Sequence, residues 1–76
     1  MRNNQFPSHA AVKHLREIYP KGTRVELIRM NDPYTTLKKG DQGTVSCVDD
    51  TGTVFVDWDN GSSLGIVYRV DHIRRI

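Results

Sequence analysis

The sequence predicts a mainly β domain, a small five-stranded barrel preceded by a short N-terminal α-helix. Three observations predict it: helical spacing of apolar residues before Lys21, alternation of apolar and polar residues after it, and Gly-containing turns between short segments. A chain of 76 residues is long enough for one domain with a small core. We therefore divide it into an N-terminal arm and helix, residues 1–19, and a β-barrel, residues 20–76.

The helix is predicted from its ends and its apolar stripe. Ser8 is a suitable N-cap, and Pro20 ends the segment. Ala11, Leu15 and Ile18 recur at helical spacing. Because a helix this short is marginal in isolation, we expect its stripe to pack as a lid over the barrel, with contact to a partner as the alternative.

Five β segments follow: TRVELIRM, GTVSCV, TVFVDWD, SSLGIVYRV and RRI. In the first, Val25 and Leu27 are expected to face the core, with Arg24 and Glu26 opposite. In the last part of the chain, Val70, Ile73 and Ile76 are the expected core residues. A polar loop, residues 31–41, follows the first segment, and the turns DDTG, NG and DHI separate the others. Because open sheet edges promote aggregation, we expect closure into an SH3-like barrel.

Composition and charge exclude several classes of protein. The single cysteine, Cys47, allows no internal disulfide, and we expect it to be a small buried side chain. No apolar run has the length of a membrane span and no signal-peptide pattern opens the chain, so a cytoplasmic location is expected. Residues 1–40 carry eight Lys/Arg against three acids, and residues 41–76 carry three against six, which indicates either a basic face or a mixed, solvated surface.

The acid-rich stretch TVFVDWDNGSS is a candidate site that its spacing argues against. Calcium loops need D-x-[DN]-x-[DN]-G and a later bidentate acid, which DWDNG does not supply. Asp57 and Asp59 share one strand face, so they do not straddle a substrate. We interpret them as solvated carboxylates beside a type I′ Asn60-Gly61 turn. No metal ligands or cofactor are expected, since the three histidines, His9, His14 and His72, are scattered.

Trp58 is predicted to be a core residue, with a ligand platform at the barrel rim as the alternative. Period-two counting places it with Val54 and Val56, opposite Phe55. Phe55 would then be the exposed ring, packed under the helix. Because loops often carry function, the loop from Asn31 to Asp41 is the other candidate site.

Two sets of binding residues follow from these features. A protein or peptide partner would contact an aromatic and basic groove formed by Tyr34, Trp58, Tyr68, Lys38 and Lys39. In the alternative, nucleic acid would contact Arg24, Arg29, Lys38, Lys39, Arg69, Arg74 and Arg75.

Residues 19–76 resemble a family of small bacterial, plasmid and phage proteins, the four-three-one-four family of domains of unknown function. The matching features are GTRVELIRM, Asp32-Pro33-Tyr34, GxxGTV at residues 40–45 and WDNGSSLG at residues 58–65. The resemblance implies an SH3-like barrel and a setting in mobile elements. More weakly, the chain is similar to mind-bomb-type SH3-like domains, which bind peptides, and GDQGTVSCVD is similar to the RNA-contacting KOW segment.

The end of the chain is also similar to that of the plasmid-type dihydrofolate reductases, which are short SH3-like barrels with a Val-Gln-Ile-Tyr run. The matching positions here are Gly65-Ile66-Val67-Tyr68, so the glutamine is replaced by Ile66. We therefore expect a non-enzymatic binding or adaptor module that recognises a protein or peptide, including a host-defence protein. A nucleic-acid-binding module is the alternative and a reductase ranks last. The sequence leaves homo-oligomers open.

Overall fold

The computed structural model describes residues 8–30, 35–67 and 70–76. One helix precedes five antiparallel strands in a single sheet, which confirms a mainly β fold. The elements are α1 (His9–Ile18), β1 (Arg24–Arg29), β2 (Gln42–Val48), β3 (Val54–Trp58), β4 (Ser63–Ile66) and β5 (His72–Arg75). Their order across the sheet is β4-β3-β2-β1-β5. No helix in the described ranges is long and apolar enough to cross a membrane.

The two outer strands of the sheet, β4 and β5, converge at one end. A flat sheet would hold them roughly 19 Å apart, at four spacings of about 4.8 Å. Instead, Val67 directly after β4 donates its backbone N–H to the Asp71 carboxylate directly before β5, at 3.0 Å. Val70 and Asp71 in turn donate to the Val67 carbonyl. The sheet is therefore strongly coiled, although within the described residues β4 and β5 do not pair with each other.

The core lies on the concave face of this sheet. β3 alternates strictly, with Val54, Val56 and Trp58 buried and Phe55 and Asp57 exposed. The full core also includes Val25, Leu27, Leu37, Val45, Val48 and Ile66. Gly43 lets β2 and β3 approach closely, since a Cβ there would lie 2.5 Å from Val56 Cγ1 and 2.8 Å from the Asp57 carbonyl oxygen. Strand alternation thus predicted the core positions of β1 and β3 correctly.

Helix α1 packs against this core, as expected of a lid. Ser8 caps it by accepting the Ala11 N–H through its side chain at 3.1 Å. The face that packs is not the predicted stripe of Ala11, Leu15 and Ile18. Val12 is the buried residue of the helix, and Leu15 and Tyr19 pack against the core. Val12, Leu15 and Tyr19 have the spacing i, i+3, i+7, which also forms one helical face. This face carries larger side chains than the predicted stripe does.

The side chain of Arg16 fixes the helix to the β2–β3 hairpin. Its Nε donates to the Val48 carbonyl at 3.1 Å, and Nη2 reaches Asp50 Oδ1 at 2.8 Å. The first bond links α1 to the end of β2, so the helix is held by a directional contact as well as by apolar packing.

Both central hairpins have three-residue loops, which corrects the predicted type I′ Asn60-Gly61 turn. Trp58 and Ser62 flank the second loop, because Trp58 N donates to Ser62 O, and Gly61 N closes the turn onto Trp58 O, both at 2.9 Å. Gly61 has φ +97°. The first loop has the same form, with Gly52 at φ +84° bonded to Asp49 O. A turn followed by a left-handed glycine is the usual three-residue hairpin.

A bulge in β2 reverses the side of the sheet on which Cys47 lies. Val45 pairs with Val56 and Cys47 with Phe55, so Ser46 is the extra residue. Period-two counting from buried Val45 would place Cys47 inside, but the bulge shifts the alternation by one residue. Cys47 is exposed, and the prediction of a buried side chain was wrong.

The predicted core at the C-terminus is largely exposed. β5 begins at His72, and Ile73 packs against the core. Val70 lies in the turn before the strand and is 40% exposed, and Ile76 follows the strand and is 53% exposed. Of the three predicted core residues, only Ile73 packs against the core.

Candidate functional site

The candidate site is a small cavity where β4 and β5 converge beneath α1. It measures about 130 Å³ and is lined mainly by apolar side chains. Its apolar lining comes from three parts of the fold. These are the helix end (Leu15 and Tyr19), the β3–β4 hairpin with the residue after it (Val54, Ile66 and Val67), and β5 (Ile73). Small-molecule sites usually measure about 300–1,000 Å³. This cavity is therefore of a size for one apolar side chain, not for a metabolite.

The elements position these walls for ordinary packing reasons. Ile66 and Val54 are cross-strand partners on the inner face of the sheet. Ile73 is paired with buried Leu27, which fixes it on the same face. Tyr19 closes the helix, with its N–H donated to the Leu15 carbonyl at 2.8 Å, so both side chains reach the cavity from above. The site is thus built from residues distant in sequence that the coiling of the sheet brings together.

Two polar residues, Asp71 and His72, also line the cavity. Asp71 is 9% exposed and holds the turn between β4 and β5 by accepting the Val67 N–H. This carboxylate therefore fixes the width of the opening between the two strands. Sequence reasoning did not select either residue, because nothing in DHI indicates that the turn joins converging sheet edges.

β5 is an edge strand with a basic surface. Its residues His72, Arg74 and Arg75 are exposed, and it contains no acid. Arg74 pairs with Glu26 of β1, with Nε to Oε1 at 2.6 Å. Arg75 makes no ion pair with a described carboxylate, and its backbone partner is Val25. Arg29 lies opposite His72 across the β1–β5 pair.

Asp59 and Arg24 form an ion pair on the outer face of the sheet. Arg24 donates to Asp59 Oδ1 at 2.9 Å and to Oδ2 at 2.7 Å, and also to Thr44 Oγ1 at 3.0 Å. The hydrogen bond from Arg24 lowers the pKa of Asp59, and the same bond raises the pKa of Arg24. Asp59 is thus not the freely solvated carboxylate that we predicted, while Asp57 accepts a 3.3 Å hydrogen bond from Ser63.

Trp58 is a core residue, which confirms the preferred prediction for it. It is 3% exposed, and its Nε1–H donates to the Leu64 carbonyl at 3.0 Å. As a candidate partner-binding residue it therefore presents no ring to the surface. Phe55 is 38% exposed, and its ring lies over Gly65 on the outer face, where a Cβ at Gly65 would be 3.2 Å from Cε1. The expectation that the helix covers Phe55 is not met.

Those of the remaining predicted site residues that the structure describes do not form one groove. Tyr34, Tyr68 and Arg69 lie outside the described residues. Lys38 and Lys39 are exposed in the turn before β2, where Lys38 N donates to Asp41 Oδ2 at 2.9 Å. Of the proposed nucleic-acid contacts, Arg24 and Arg74 are engaged in ion pairs. Within the described ranges, no three His, Cys, Asp or Glu residues are grouped so as to hold a metal ion.

The fold and cavity together define a small β domain in which a helix covers a five-stranded antiparallel sheet with a side-chain-sized cavity at its seam. The family model described as "Domain of unknown function (DUF4314)" matches residues 8–76. The chain belongs to this family, which confirms the resemblance drawn from the sequence. A comparison with curated proteins finds no match.

Proposed function

We propose that this domain is a non-enzymatic SH3-like binding module that recognises an extended segment of a protein or peptide partner. The observation that carries the proposal is the mainly apolar cavity between the edges of β4 and β5, which are open within the described residues. Extended peptides add to open sheet edges through their backbone, and pockets beside the edge select their side chains. A cavity for one side chain beside two strand edges suits that mode of recognition.

The strand order supports the SH3-like part of the proposal. β1 lies between β2 and β5, so the last strand of the chain pairs with the first. The hydrogen bonds between Val67 and Asp71 bring β4 and β5 together at one end. Both features are expected of a small, partly open barrel. We propose in addition that the module acts in the cytoplasm as an adaptor encoded by a mobile element, with a host-defence protein as one class of partner.

The nucleic-acid alternative has less support. Arg24 and Arg74 are neutralised by Asp59 and Glu26. Single-strand binding also uses rings beside the basic side chains, and among the described residues the exposed ring of Phe55 lies on β3, separated from β5 by β2 and β1. The reductase alternative has less support still, because Ile66, at the position of the glutamine, is 4% exposed in the core.

A displayed library of random peptides, selected on the intact chain, tests the proposal. We expect enriched peptides that perturb the amide resonances of Ile66, Val67 and Ile73 in NMR spectra. Val67→Arg should weaken binding at least about tenfold, which corresponds to about 1.4 kcal/mol. Val67 is 46% exposed and lines the cavity, so the larger side chain blocks the opening without burial of a charge.

Val70→Arg is the matched control. Val70 lies in the same turn and is 40% exposed, but it does not line the cavity. This variant should bind as the unmodified protein does. Selection without enrichment, or equal losses in both variants, would show that the cavity is not a peptide site.

A further inference from the structure

We infer that the peptide bound at this site is acidic, that it pairs with β5, and that it carries an acid two residues from its apolar residue. The inference rests on the proposed function and specifies its ligand. Three features carry it: the edge position of β5, the charges on this strand, and the place of Ile73 between them.

The edge of β5 is open in the part of the chain that the structure describes. β5 pairs with β1 on one side and ends the sheet on the other. Such an edge presents backbone donors and acceptors to an added strand. The edge is four residues long, from His72 to Arg75, which suits a short linear motif.

The charge of β5 selects among possible strands. His72, Arg74 and Arg75 are exposed, and Arg29 lies beside His72 on β1. Arg75 and Arg29 make no ion pair with a described carboxylate. Opposite charges directly across a strand pair stabilise it, and like charges destabilise it. An acidic strand therefore pairs favourably here, whereas a second copy of β5 would place arginines against arginines.

Strand alternation then gives the order of residues in the ligand. Ile73 faces inward and lines the cavity, so a residue directly opposite it on an added strand also points to the cavity. Arg75, the partner of buried Val25, lies on the same side of the sheet as Ile73, whereas Arg74 lies on the other side and is held by Glu26. One apolar side chain thus enters the cavity of about 130 Å³, and an acid two residues from it faces Arg75. A phosphodiester backbone offers no apolar side chain for this cavity.

Four soluble probes of equal length, titrated into the intact chain by fluorescence anisotropy, test the inference. The first carries a central Glu-Ser-Leu-Ser-Glu, the second Lys-Ser-Leu-Ser-Lys and the third Glu-Ser-Ala-Ser-Glu, while the fourth is an oligothymidylate. We expect the first to bind best, the second to show no binding, and the third to bind about tenfold more weakly. Binding of the first should fall with added salt, since its charges lie at the surface.

Two protein variants locate the charges. Arg75→Glu should weaken binding of the first peptide at least about tenfold, and Arg75→Gln should weaken it to a smaller degree. Lys21→Glu makes the same change of charge in the turn before β1, where Gly22 bonds to Val45 of β2, and should leave binding unchanged. Since Arg75 and Lys21 are both exposed, neither variant alters the core.

The outcomes separate this inference from the proposed function. Selected peptides that bind at Val67 but lack acids, together with a first probe that does not bind, would overturn the acidic ligand and leave the peptide site. Binding of the oligothymidylate alone would overturn both, as would the absence of any binding peptide. Equal effects of Arg75→Glu and Lys21→Glu would show a response to net charge, without a site on β5.

Discussion

Arg24 connects two strands and a loop through its side chain. It lies on β1, donates to Thr44 on β2, and holds Asp59 in the loop after β3 through both carboxylate oxygens. The backbone of Asp59 is also fixed, since its N–H donates to the Gln42 carbonyl at 2.8 Å. The loop after β3 is therefore tied to the outer face of the sheet, and the acid that first suggested a metal or catalytic site has a structural role.

The pair predicts a loss of stability in acid. Arg24 lowers the pKa of Asp59 in the folded chain. The stability that this ion pair contributes is therefore present above the ordinary carboxyl pKa of about 3.9, and it is lost as the pH falls through the lowered pKa. Thermal unfolding between about pH 5 and pH 2 should show the melting temperature of the unmodified chain falling more steeply than that of Arg24→Gln.

Asp49 retains part of the acid sensitivity in both proteins, because the Thr51 hydroxyl lowers its pKa in the same direction. Arg75→Gln is the control, since it removes the same charge from a residue without a described ion pair. The melting temperature of this variant should fall with pH as steeply as that of the unmodified chain. If Arg24→Gln and Arg75→Gln gave the same slope, the Arg24–Asp59 pair would not be the cause.

At the level of elements, the sequence located the turns and the alternating strands but not their register. Val25 and Leu27 in β1, and Val54 and Val56 in β3, follow from alternation alone. Cys47 does not, because the bulge at Ser46 is defined only by pairing with β3. The Asn-Gly pair predicted a hairpin, but the loop gained a residue because Trp58, not Asp59, pairs across it with Ser62. Local patterns thus predict elements, and cross-strand contacts decide their offsets.

The packing of α1 predicts a measurable cost for a truncation in its buried face. Val12 is 4% exposed. Val12→Ala removes two buried carbons at about 0.8 kcal/mol each, offset by about 0.5 kcal/mol from the better helix propensity of Ala. With the cavity left behind, urea unfolding should show a loss of about 1–2 kcal/mol.

His14→Ala on the exposed face of the same helix is the control. It should change the free energy of unfolding by less than about 0.5 kcal/mol. A neutral Val12→Ala would mean that α1 does not contribute its buried face to the stability of the domain.

At the scale of the whole molecule, the candidate site could not be read from the sequence because coiling of the sheet creates it. Leu15, Val54, Ile66 and Ile73 belong to four different elements and meet only where β4 and β5 converge. Arg74 and Arg75, in contrast, were selected from composition alone. Their charges were visible in the sequence, and their position on a sheet edge was not.

The edge position of these arginines predicts that they keep the protein monomeric. Edge strands that lack charge tend to pair with copies of themselves. The double variant Arg74→Thr/Arg75→Thr replaces both charges with a residue of high β propensity, which leaves an edge able to pair with itself. Sedimentation velocity at neutral pH should show a monomer for the unmodified chain and a concentration-dependent dimer or larger species for this variant.

Lys38→Thr/Lys39→Thr is matched to it in charge. The chain carries +2, and removal of two cations brings either variant to 0. Lys38 and Lys39 lie in an exposed turn, not on the sheet edge, so this variant should remain monomeric. Since net charge near zero promotes association by itself, equal association of the two variants would assign the effect to net charge. Association of the β5 variant alone would show that the same charges that admit an acidic strand exclude a second copy of the edge.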